Sequence, residues 1–398
     1  MGRLLRSVPA SYADPSPRRQ RSRQQLLNAI RAENGGITRS ELSRVTGLSR
    51  SAIAEGVQDL LAEQLVTEHR MESGLGRGRP SAVLVPAAAR GEVAGIDFGH
   101  SHVSVTVAQS SGRVLAEHRR TIDVDHQATG ALDAAAALLA RGLADAHLAA
   151  SDLISVAAGI PGPLDMKTGL VRSPTILSTW VDLDPARELS TRLGRPIQVG
   201  NDADMGAHGE LRFGAARGCR DFVYVKASHG IGAGLVLNGD TYRGTLGIAG
   251  EIGHTQLPGA DNWCRCGNRG CLEAVVSISE VKRQLTHTRL KPEADASDPS
   301  LIAISSDPVA ARVITGAGRT LGRVLADVCN ALNPEAIILG GELGTAGAPL
   351  VLGVRESIDR YAQPAAAQDV SVRCAQLGLR SELMGAVATA IQHQAIPV

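Results

Sequence analysis

Four side chains that commonly bind metals lie within one short stretch of the sequence. They are one imidazole and three thiols, His254, Cys264, Cys266 and Cys271. Thiolates and imidazole are ligands that Zn²⁺ prefers, and four protein ligands complete a tetrahedral shell with no position left for a catalytic water. The spacing therefore predicts a structural zinc site.

Two carboxylates flank this metal motif. Glu251 lies three residues before His254, and Glu273 lies two residues after Cys271. Closing the metal shell would draw both carboxylates toward one place. Because carboxylates accept hydrogen bonds from hydroxyl groups, this arrangement suits a ligand with many hydroxyls.

The two motifs together resemble those of the ROK family of sugar kinases and sugar-responsive repressors. That family carries E-x-G-H followed by C-x-C-G-x-x-G-C-x-E, and this sequence has both in register at residues 251–254 and 264–273. The resemblance extends from residue 92 to the C-terminus. It implies an α/β fold of the two-lobed, actin-like ATPase (RNase H-like) type. It also implies a hexose site made by Asn201, Asp202, Glu251, His254 and Glu273.

The chain from residue 92 onward agrees with a duplicated α/β domain. Apolar runs predict strands over 93–99, 103–108 and 114–124, an alanine-rich helix over 128–149, and further strands at 154–159 and 196–200. A weaker copy of this opening follows, with predicted strands at 222–227, 235–239 and 336–341.

Two glycine loops resemble the phosphate-binding loops of the family's kinases, with one departure in each. Such loops use small residues to bring backbone amides against phosphate groups. Here His100 and His229 stand where the family prefers glycine or threonine. We therefore do not expect ATP or Mg²⁺ as cofactors. The remaining nucleotide positions are interpreted as vestigial: Asp97, Gly99, Gly230, Gly232, Gly340 and Gly341.

Asp202 matches the catalytic base of the kinases. If the chain phosphorylates a sugar, Asp202 would accept the proton of the attacking hydroxyl. In a repressor it would only accept a hydrogen bond. The turn at 159–163 is a further candidate for lining the cleft. Aromatic residues are scarce, so a sugar platform is expected to involve Trp180 or no aromatic residue.

The N-terminal part differs from the rest in charge. Residues 1–90 contain 14 arginines, no lysine and 8 acids, a net charge of +6, whereas the whole chain has +1 and the remainder therefore −5. A basic segment on a mildly acidic body suggests a nucleic-acid-binding module.

The pattern of apolar residues in this basic segment predicts a winged helix-turn-helix. One helix is expected from Gln20 to about residue 34, with Leu26, Leu27 and Ile30 inward. A second helix starts at the capping-box pair Thr38 and Glu41, and its Leu42 and Val45 are expected to face inward. Ser49 caps a third helix, which we interpret as the recognition helix. Two short strands flank an arginine-glycine wing at 73–80. The predicted DNA-contacting residues are Arg39, Ser49, Arg50, Ser51, Arg77 and Arg79.

These observations predict three segments and one main function. Residues 1–19 form a disordered basic tail, 20–88 the DNA-binding domain, and 91–398 the sugar-sensing domain with a zinc loop at 254–271.

The chain is predicted to be a sugar-responsive transcriptional regulator, a repressor, that binds operator DNA and a sugar effector as a homodimer or homotetramer. One alternative is an active hexose kinase that retains a DNA-binding head. Another treats the head as a protein-docking module on an inactive kinase fold.

The sequence also predicts a cytoplasmic location. No apolar run approaches the roughly 18–20 residues needed to cross a bilayer. Cys219, Cys329 and Cys374 are scattered without a pairing pattern, which favours a reducing compartment.

Overall fold

The computed structural model of the chain describes residues 17–32, 36–63, 65–70, 82–86, 91–165, 167–172, 177–287, 301 and 305–393. The chain divides into two compact units, Met1–Ala89 and Arg90–Val398, here called the head and the body.

The head contains three helices and a three-stranded antiparallel sheet. Its elements are α1 (Pro17–Ala32), β1 (Ile37–Thr38), α2 (Arg39–Thr46), α3 (Arg50–Ala62), β2 (Val66–Arg70) and β3 (Ala82–Pro86). Strand β3 lies at the centre of the sheet, between β1 and β2. The apolar faces of all three helices and of β3 meet in one core, with Leu26, Ile30, Leu42, Ile53, Leu60 and Leu84 fully buried.

The helix starts follow from capping chemistry. Thr38 Oγ1 accepts a hydrogen bond from the Glu41 amide, and the Glu41 carboxylate accepts one from the Thr38 amide, so the predicted capping box is present. Ser49 Oγ caps α3 by accepting from the Ala52 amide at 3.3 Å. Gly47 ends α2 in the left-handed conformation, with φ +68°.

Two details of the head differ from the sequence expectation. Helix α1 begins at Pro17, three residues before the predicted start, because proline is favoured in the first turn of a helix. Val45 was predicted to face inward, but it is 57% exposed because it lies in the last turn of the short α2. Residues 17–19, the end of the predicted tail, belong to α1, so that boundary was wrong. Residues 1–16 of the predicted tail and residues 71–81, which include the wing arginines Arg77 and Arg79, lie outside the described residues.

The body contains two five-stranded mixed sheets with the same topology. The first half has β4 (Glu92–Gly99), β5 (His102–Gln109), β6 (Val114–Thr121), α4 (Ala128–Asp145), β7 (Leu153–Ile160), α5 (Pro185–Leu193) and β8 (Gln198–Asn201). Its strands are ordered β6-β5-β4-β7-β8; β4, β5 and β6 are antiparallel neighbours, and β7 and β8 add in parallel.

The second half repeats this arrangement after a connecting helix. Its elements are α6 (Asp202–Phe213), β9 (Phe222–Ala227), β10 (Ile231–Leu237), β11 (Asp240–Thr241), α7 (Leu272–Val276), α8 (Ile278–His287), α9 (Pro308–Leu332), β12 (Ala336–Gly340), α10 (Gly341–Gly344), α11 (Ala348–Tyr361), α12 (Pro364–Asp369), β13 (Ser371–Cys374) and α13 (Ser381–His393). The strand order β11-β10-β9-β12-β13 has the same pattern of antiparallel and parallel pairs. The duplication suggested by the sequence is therefore present in the fold.

Several predicted boundaries shift in the structure. Strand β6 ends at Thr121 rather than at residue 124, and helix α4 ends at Asp145 rather than at residue 149. The glycine-rich stretch from Ile231 was predicted as a loop, yet it forms the first half of β10, because Ile231 and Ala233 alternate inward and pair with β9.

Helices α6 and α13 cross between the two sheets at glycine residues. A Cβ atom at Gly385 would lie 1.6 Å from the Met205 carbonyl oxygen, and one at Gly209 would lie 2.3 Å from the Ser381 carbonyl oxygen. Such distances are possible only because glycine has no side chain. The crossing therefore fixes α6, which packs on β9 and β10, against α13, which packs on β4 and β7.

Gly385→Ala should lower the free energy of unfolding by about 1–3 kcal/mol, because the added methyl group must push the two helix backbones apart. Unfolding in urea, followed by circular dichroism, measures this. Gly316→Ala is the matched control, since Gly316 lies inside α9 with no atom within 4 Å of an added Cβ. That variant should be stabilised by about 0.8–1 kcal/mol. Equal stability changes in the two variants would contradict the tight crossing.

Candidate functional site

The four predicted metal ligands form a compact cluster. The donor atoms of His254, Cys264, Cys266 and Cys271 all lie within 4.8 Å of one another. His254 Nδ1 is 3.6 Å from Cys264 Sγ, and Cys266 Sγ is 3.8 Å from Cys271 Sγ. Burial raises the pKa values of the Cys264 and Cys271 thiols. A bound cation would stabilise their thiolate forms, so the cluster could hold a metal ion.

A short hairpin over residues 262–270 presents two of these ligands. Trp263 and Arg269 pair as an antiparallel bridge, and the Cys264 amide donates to the Asn268 carbonyl oxygen at 2.9 Å. These backbone bonds fix the direction of the hairpin. Cys264 and Cys266 lie near its tip and are thereby brought toward His254.

The metal cluster and Glu273 are in direct contact. Cys271 is the N-cap of α7, and Glu273 lies in the first turn of that helix. Glu273 Oε1 is 3.2 Å from Cys264 Sγ and 3.8 Å from His254 Nδ1. A change at the metal ligands would therefore move this carboxylate.

The segment that carries Glu251 lies flat against β10. A Cβ atom at Gly250 would lie 1.9 Å from the Ala233 carbonyl oxygen, and one at Gly253 would lie 2.2 Å from the Ile231 carbonyl oxygen. Gly250 also has φ +100°. The two glycines of the motif are therefore needed for Glu251 to reach its position.

Three carboxylates and the imidazoles of His100 and His254 face the same cleft in the body. The cleft is lined by Asp202, Glu251, His254 and Glu273, among others. Glu251 Oε2 lies 3.7 Å from His254 Nε2, on the opposite side of the ring from Glu273. Burial raises the pKa of Glu251 to about 7, and the charges of Asp202 and Glu273 add to this effect. A ligand that donates hydroxyl hydrogen bonds would relieve this crowding of acceptors.

Asn201 and Asp202 lie at the junction of β8 and α6. Asn201 Oδ1 caps α6 by accepting from the Ala203 amide at 2.8 Å, and its Nδ2 donates to the Gly162 carbonyl oxygen at 3.0 Å. Its amide group is thus mostly used to shape the cleft. Asp202 is buried, and its Oδ2 accepts from Lys226 Nζ at 2.5 Å.

Lys226 is a cleft residue that the sequence analysis missed. It lies on β9, and its side chain is largely buried. Burial by itself lowers the pKa of Lys226, but Asp202, Glu382 and Asp97 more than offset this and raise it, so the side chain is an ammonium ion. The available signal was a single lysine in the otherwise apolar strand at 222–227.

Asp97 and Gly99 end β4. Asp97 is buried, with Oδ2 3.2 Å from His102 Nε2, and Oδ1 has no hydrogen-bond partner among the described residues. A Cβ atom at Gly99 would lie 2.2 Å from the His102 ring. The histidine ring therefore occupies the space beside this glycine.

The two histidines that depart from the kinase pattern approach each other. The His100 and His229 rings have centroids 5.9 Å apart. His100 Nδ1 is hydrogen-bonded to Asp125 at 2.7 Å, and its ring lines the cleft together with Gly230 and Gly232. The structure thus brings the two substituted loops together with imidazole rings between them.

Gly340 and Gly341 are required by packing. A Cβ atom at Gly340 would lie 2.1 Å from the Tyr224 hydroxyl, and one at Gly341 would lie 2.4 Å from the Ala227 carbonyl oxygen. This turn between β12 and α10 therefore has a structural reason for its glycines, whether or not a nucleotide binds.

The prediction for Trp180 was wrong. Trp180 is fully buried, packs edge-on against Phe98 at 5.4 Å, and donates from Nε1 to the Val124 carbonyl oxygen at 2.7 Å. It is a core residue, because its large apolar surface packs against Phe98 of β4 and the segment that precedes α4. The turn at 159–163 does line the cleft, through Pro161, Gly162 and Pro163.

In the head, the four predicted DNA-contacting residues that the structure describes lie at the starts of α2 and α3. Arg39 forms an ion pair with Glu68 of β2. Ser49 is used as the cap of α3, and the side chains of Arg50 and Ser51 are exposed in its first turn. Arg50 and Ser51 are therefore the members of this set best placed to reach a partner.

The body has a two-lobed actin-like fold with a metal-binding motif, and the head is a winged helix-turn-helix. This combination is typical of a class of sugar-responsive regulators that share their fold with sugar kinases. The chain matches the ROK family over residues 93–393 and a winged helix-turn-helix DNA-binding domain over residues 19–67. The chain belongs to the ROK family. The predicted family and fold class are confirmed.

The chain is similar to both regulators and kinases of this family. It is 27% identical over 361 residues to the DNA-binding transcriptional repressor Mlc of Escherichia coli K12, covering 88% of each chain. It is 32% identical over 307 residues to a glucokinase of Halalkalibacterium halodurans, covering 73% of this chain and 92% of the glucokinase. A crystal structure of a ROK family transcriptional regulator, a homologue of the E. coli Mlc protein, superposes with a TM-score of 0.75 at 26% identity, covering 95% of this chain and 96% of that one.

The matches to the repressor Mlc and to the ROK regulator structure cover 88% and 95% of this chain, and they therefore extend beyond the body into the head. The predicted class, a DNA-binding transcriptional regulator, is confirmed by this coverage and by the DNA-binding domain of the head. Within the part of the chain that the structure describes, no helix is long and apolar enough to span a membrane.

Cys264→Ser should remove most of the bound metal, because three ligands hold a metal far less tightly than four. The metal content of the purified protein, measured by atomic emission, tests this. Cys374→Ser is the control, since Cys374 lies on β13 and outside the cluster. Equal metal content in the two variants would contradict the assignment of Cys264 as a ligand.

Proposed function

We propose that this protein is a repressor that leaves its operator DNA when a sugar binds the cleft of the body. The observation that carries the proposal is the convergence of Asp202, Glu251, His254 and Glu273 on one cleft, in a chain that also has a DNA-binding head. Carboxylates and an imidazole can satisfy several adjacent hydroxyl groups of a hexose. The similarity to the repressor Mlc supports the same function.

The metal in this proposal is a structural Zn²⁺ ion. With zinc–sulfur bonds of about 2.3 Å, two sulfur ligands of a tetrahedral site lie about 3.8 Å apart. The Cys266 and Cys271 sulfurs are 3.8 Å apart, in agreement with that value. Zinc would hold His254 through Nδ1 and leave Nε2, which faces Glu251, to bind a hydroxyl.

The cleft favours a sensor over a kinase. In a kinase Asp202 would need a free carboxylate oxygen to accept a proton. Here Oδ2 is bound to the ammonium group of Lys226 and Oδ1 accepts from the Ala203 amide at 2.7 Å. Both oxygens of Asp202 are thus already engaged within the protein, and each keeps a second lone pair that can accept a hydrogen bond from a sugar hydroxyl.

The alternative is an ATP-dependent hexose kinase that retains the DNA-binding head. The 32% identity to a glucokinase favours it. Against it stand the Lys226–Asp202 pair and the imidazole rings of His100 and His229 between the two glycine loops. A phosphate chain would have to displace those rings.

In the head, Arg50 and Ser51 would contact base edges from the start of α3, and the wing arginines would contact phosphates or the minor groove. Because one head offers a small contact area, two heads of a homodimer or homotetramer would bind a pseudo-palindromic operator. Its half-sites would lie about one helical turn, or a multiple of it, apart.

Arg50→Ala should weaken operator binding by about 1–3 kcal/mol and relax base preference at one position of each half-site. Fluorescence anisotropy with the operator and single-base variants measures both. Arg360→Ala, in the body on α11, is the matched control and should bind as wild type does. Unchanged operator preference in the Arg50 variant would remove Arg50 from base recognition.

Sugar and operator should each weaken the binding of the other by the same factor, because binding linkage is reciprocal. Glu251→Gln keeps the side-chain size, removes one acceptor charge, and should weaken sugar binding about tenfold or more, while operator affinity without sugar stays the same. Titrations of sugar with and without operator give all four constants. Asp202→Asn is a poorer probe, since it would leave Lys226 buried without its counter-ion.

Glu342→Gln, on α10 and outside the cleft lining, serves as the control. Normal sugar release in the Glu251 variant would mean that the site is misplaced. Wild-type protein that consumes ATP with a hexose at roughly 1–100 per second would instead establish the kinase alternative.

A further inference from the structure

Trp263 is an exposed aromatic residue beside the metal cluster. The chain has two tryptophans. Trp180 is buried in the core, whereas Trp263 is 70% exposed. One face of its ring is covered by the Arg269 guanidinium group, 3.8 Å from the ring centroid. The guanidinium group holds the Trp263 ring in one orientation, and the other face of the ring is available to a ligand.

Trp263 lines a second recess that adjoins the cleft. The recess has a volume of about 310 Å³, and the cleft about 70 Å³. Arg265 and Glu273 line both cavities, so the recess lies next to the cleft. His229 and Ser279 also line the recess. A ligand held in the narrow cleft could therefore extend into the wider recess.

The lining of the recess has the composition of a sugar subsite. A sugar ring presents C–H groups on its faces and hydroxyls around its edge. The indole ring of Trp263 matches such a face, and the guanidinium of Arg265, the carboxylate of Glu273 and the hydroxyl of Ser279 match the edge. We propose that this recess binds a second sugar ring stacked on Trp263, so that the effector is a disaccharide or a longer glycoside. The proposal rests on the proposed sugar-sensing function of the cleft.

Two other classes of ligand fit the recess less well. A phosphate group would meet the Glu273 carboxylate, and the one arginine that lines both cavities is already 3.6 Å from the buried carboxylate of Asp125. A purely apolar ligand would cover the Glu273 carboxylate and the Arg265 guanidinium without offering either a hydrogen bond, which is costly. A neutral group with hydroxyls satisfies these side chains.

The position of Trp263 also links this subsite to the metal cluster. Trp263 precedes the ligand Cys264 in sequence, and its backbone pairs with Arg269 across the hairpin. The platform is therefore held by the same hairpin that carries the metal ligands. A ring bound there would contact the element that positions Glu273 in the cleft.

The test compares single sugars with their disaccharides. Glucose is paired with maltose and cellobiose, and xylose with xylobiose, on the full-length metal-loaded protein. Tryptophan fluorescence reports the recess directly, because Trp263 is exposed and Trp180 is buried. We expect at least one disaccharide to bind about tenfold more tightly than its monosaccharide and to shift the emission of Trp263.

Trp263→Ala should abolish that tenfold preference and leave the affinity for the monosaccharide within about twofold, as measured by calorimetry. Trp263→Phe should retain part of the preference. Tyr361→Ala is the matched control, since Tyr361 is also an exposed aromatic residue with arginine neighbours but lies on α11. Metal content is measured for each variant, to show that the hairpin is intact.

The possible results separate this proposal from the function on which it rests. If monosaccharides bind and no disaccharide of the panel binds more tightly, the second subsite is wrong. If Trp263→Ala weakens both kinds of sugar equally at full metal content, Trp263 only supports the cleft, and the subsite is again wrong. If no sugar binds at all, the proposed sugar-sensing function fails, and this inference fails with it.

Discussion

The close crossing of helices α6 and α13 is the constraint on which the body depends. Gly209 and Gly385 let the two helix backbones touch, with each helix packed on a different sheet. Because α6 begins at Asp202, the crossing also places the N-terminus of that helix in the cleft. The approach of the two helices, and with it the position of one site carboxylate, therefore depends on two residues without side chains.

A second constraint acts from the opposite side of the cleft. The four predicted metal ligands connect the segment at 250–254 with the hairpin at 262–270. Glu273 lies two residues after Cys271, the last of these ligands. One side of the site is thus held by a buried helix contact and the other by metal ligands. A ligand that bridges the two sides would act on both at once, which is the physical basis for a response that reaches beyond the cleft.

Lys226 places a buried positive charge among the acids of the cleft. Its ammonium group lies among Asp202, Glu382 and Asp97, and these carboxylates keep it charged despite burial. Burial also raises the pKa of Glu382 to about 7. The Asp202 carboxylate is therefore paired with a charge inside the protein while it lines the cleft.

The sequence by itself determined the metal motif, the two flanking carboxylates, the helix-turn-helix and the duplicated strand pattern, because each is a local spacing of residue types with a direct physical meaning. It did not determine which aromatic residue faces the cleft: Trp180 was favoured, and the structure buries it. Nor did it reveal Lys226, since its partners Asp202 and Glu382 lie on two other elements, α6 and α13, and meet it only when these helices pack on the sheet. Burial and long-range pairing are properties of the packed chain, so only the tertiary structure could decide them.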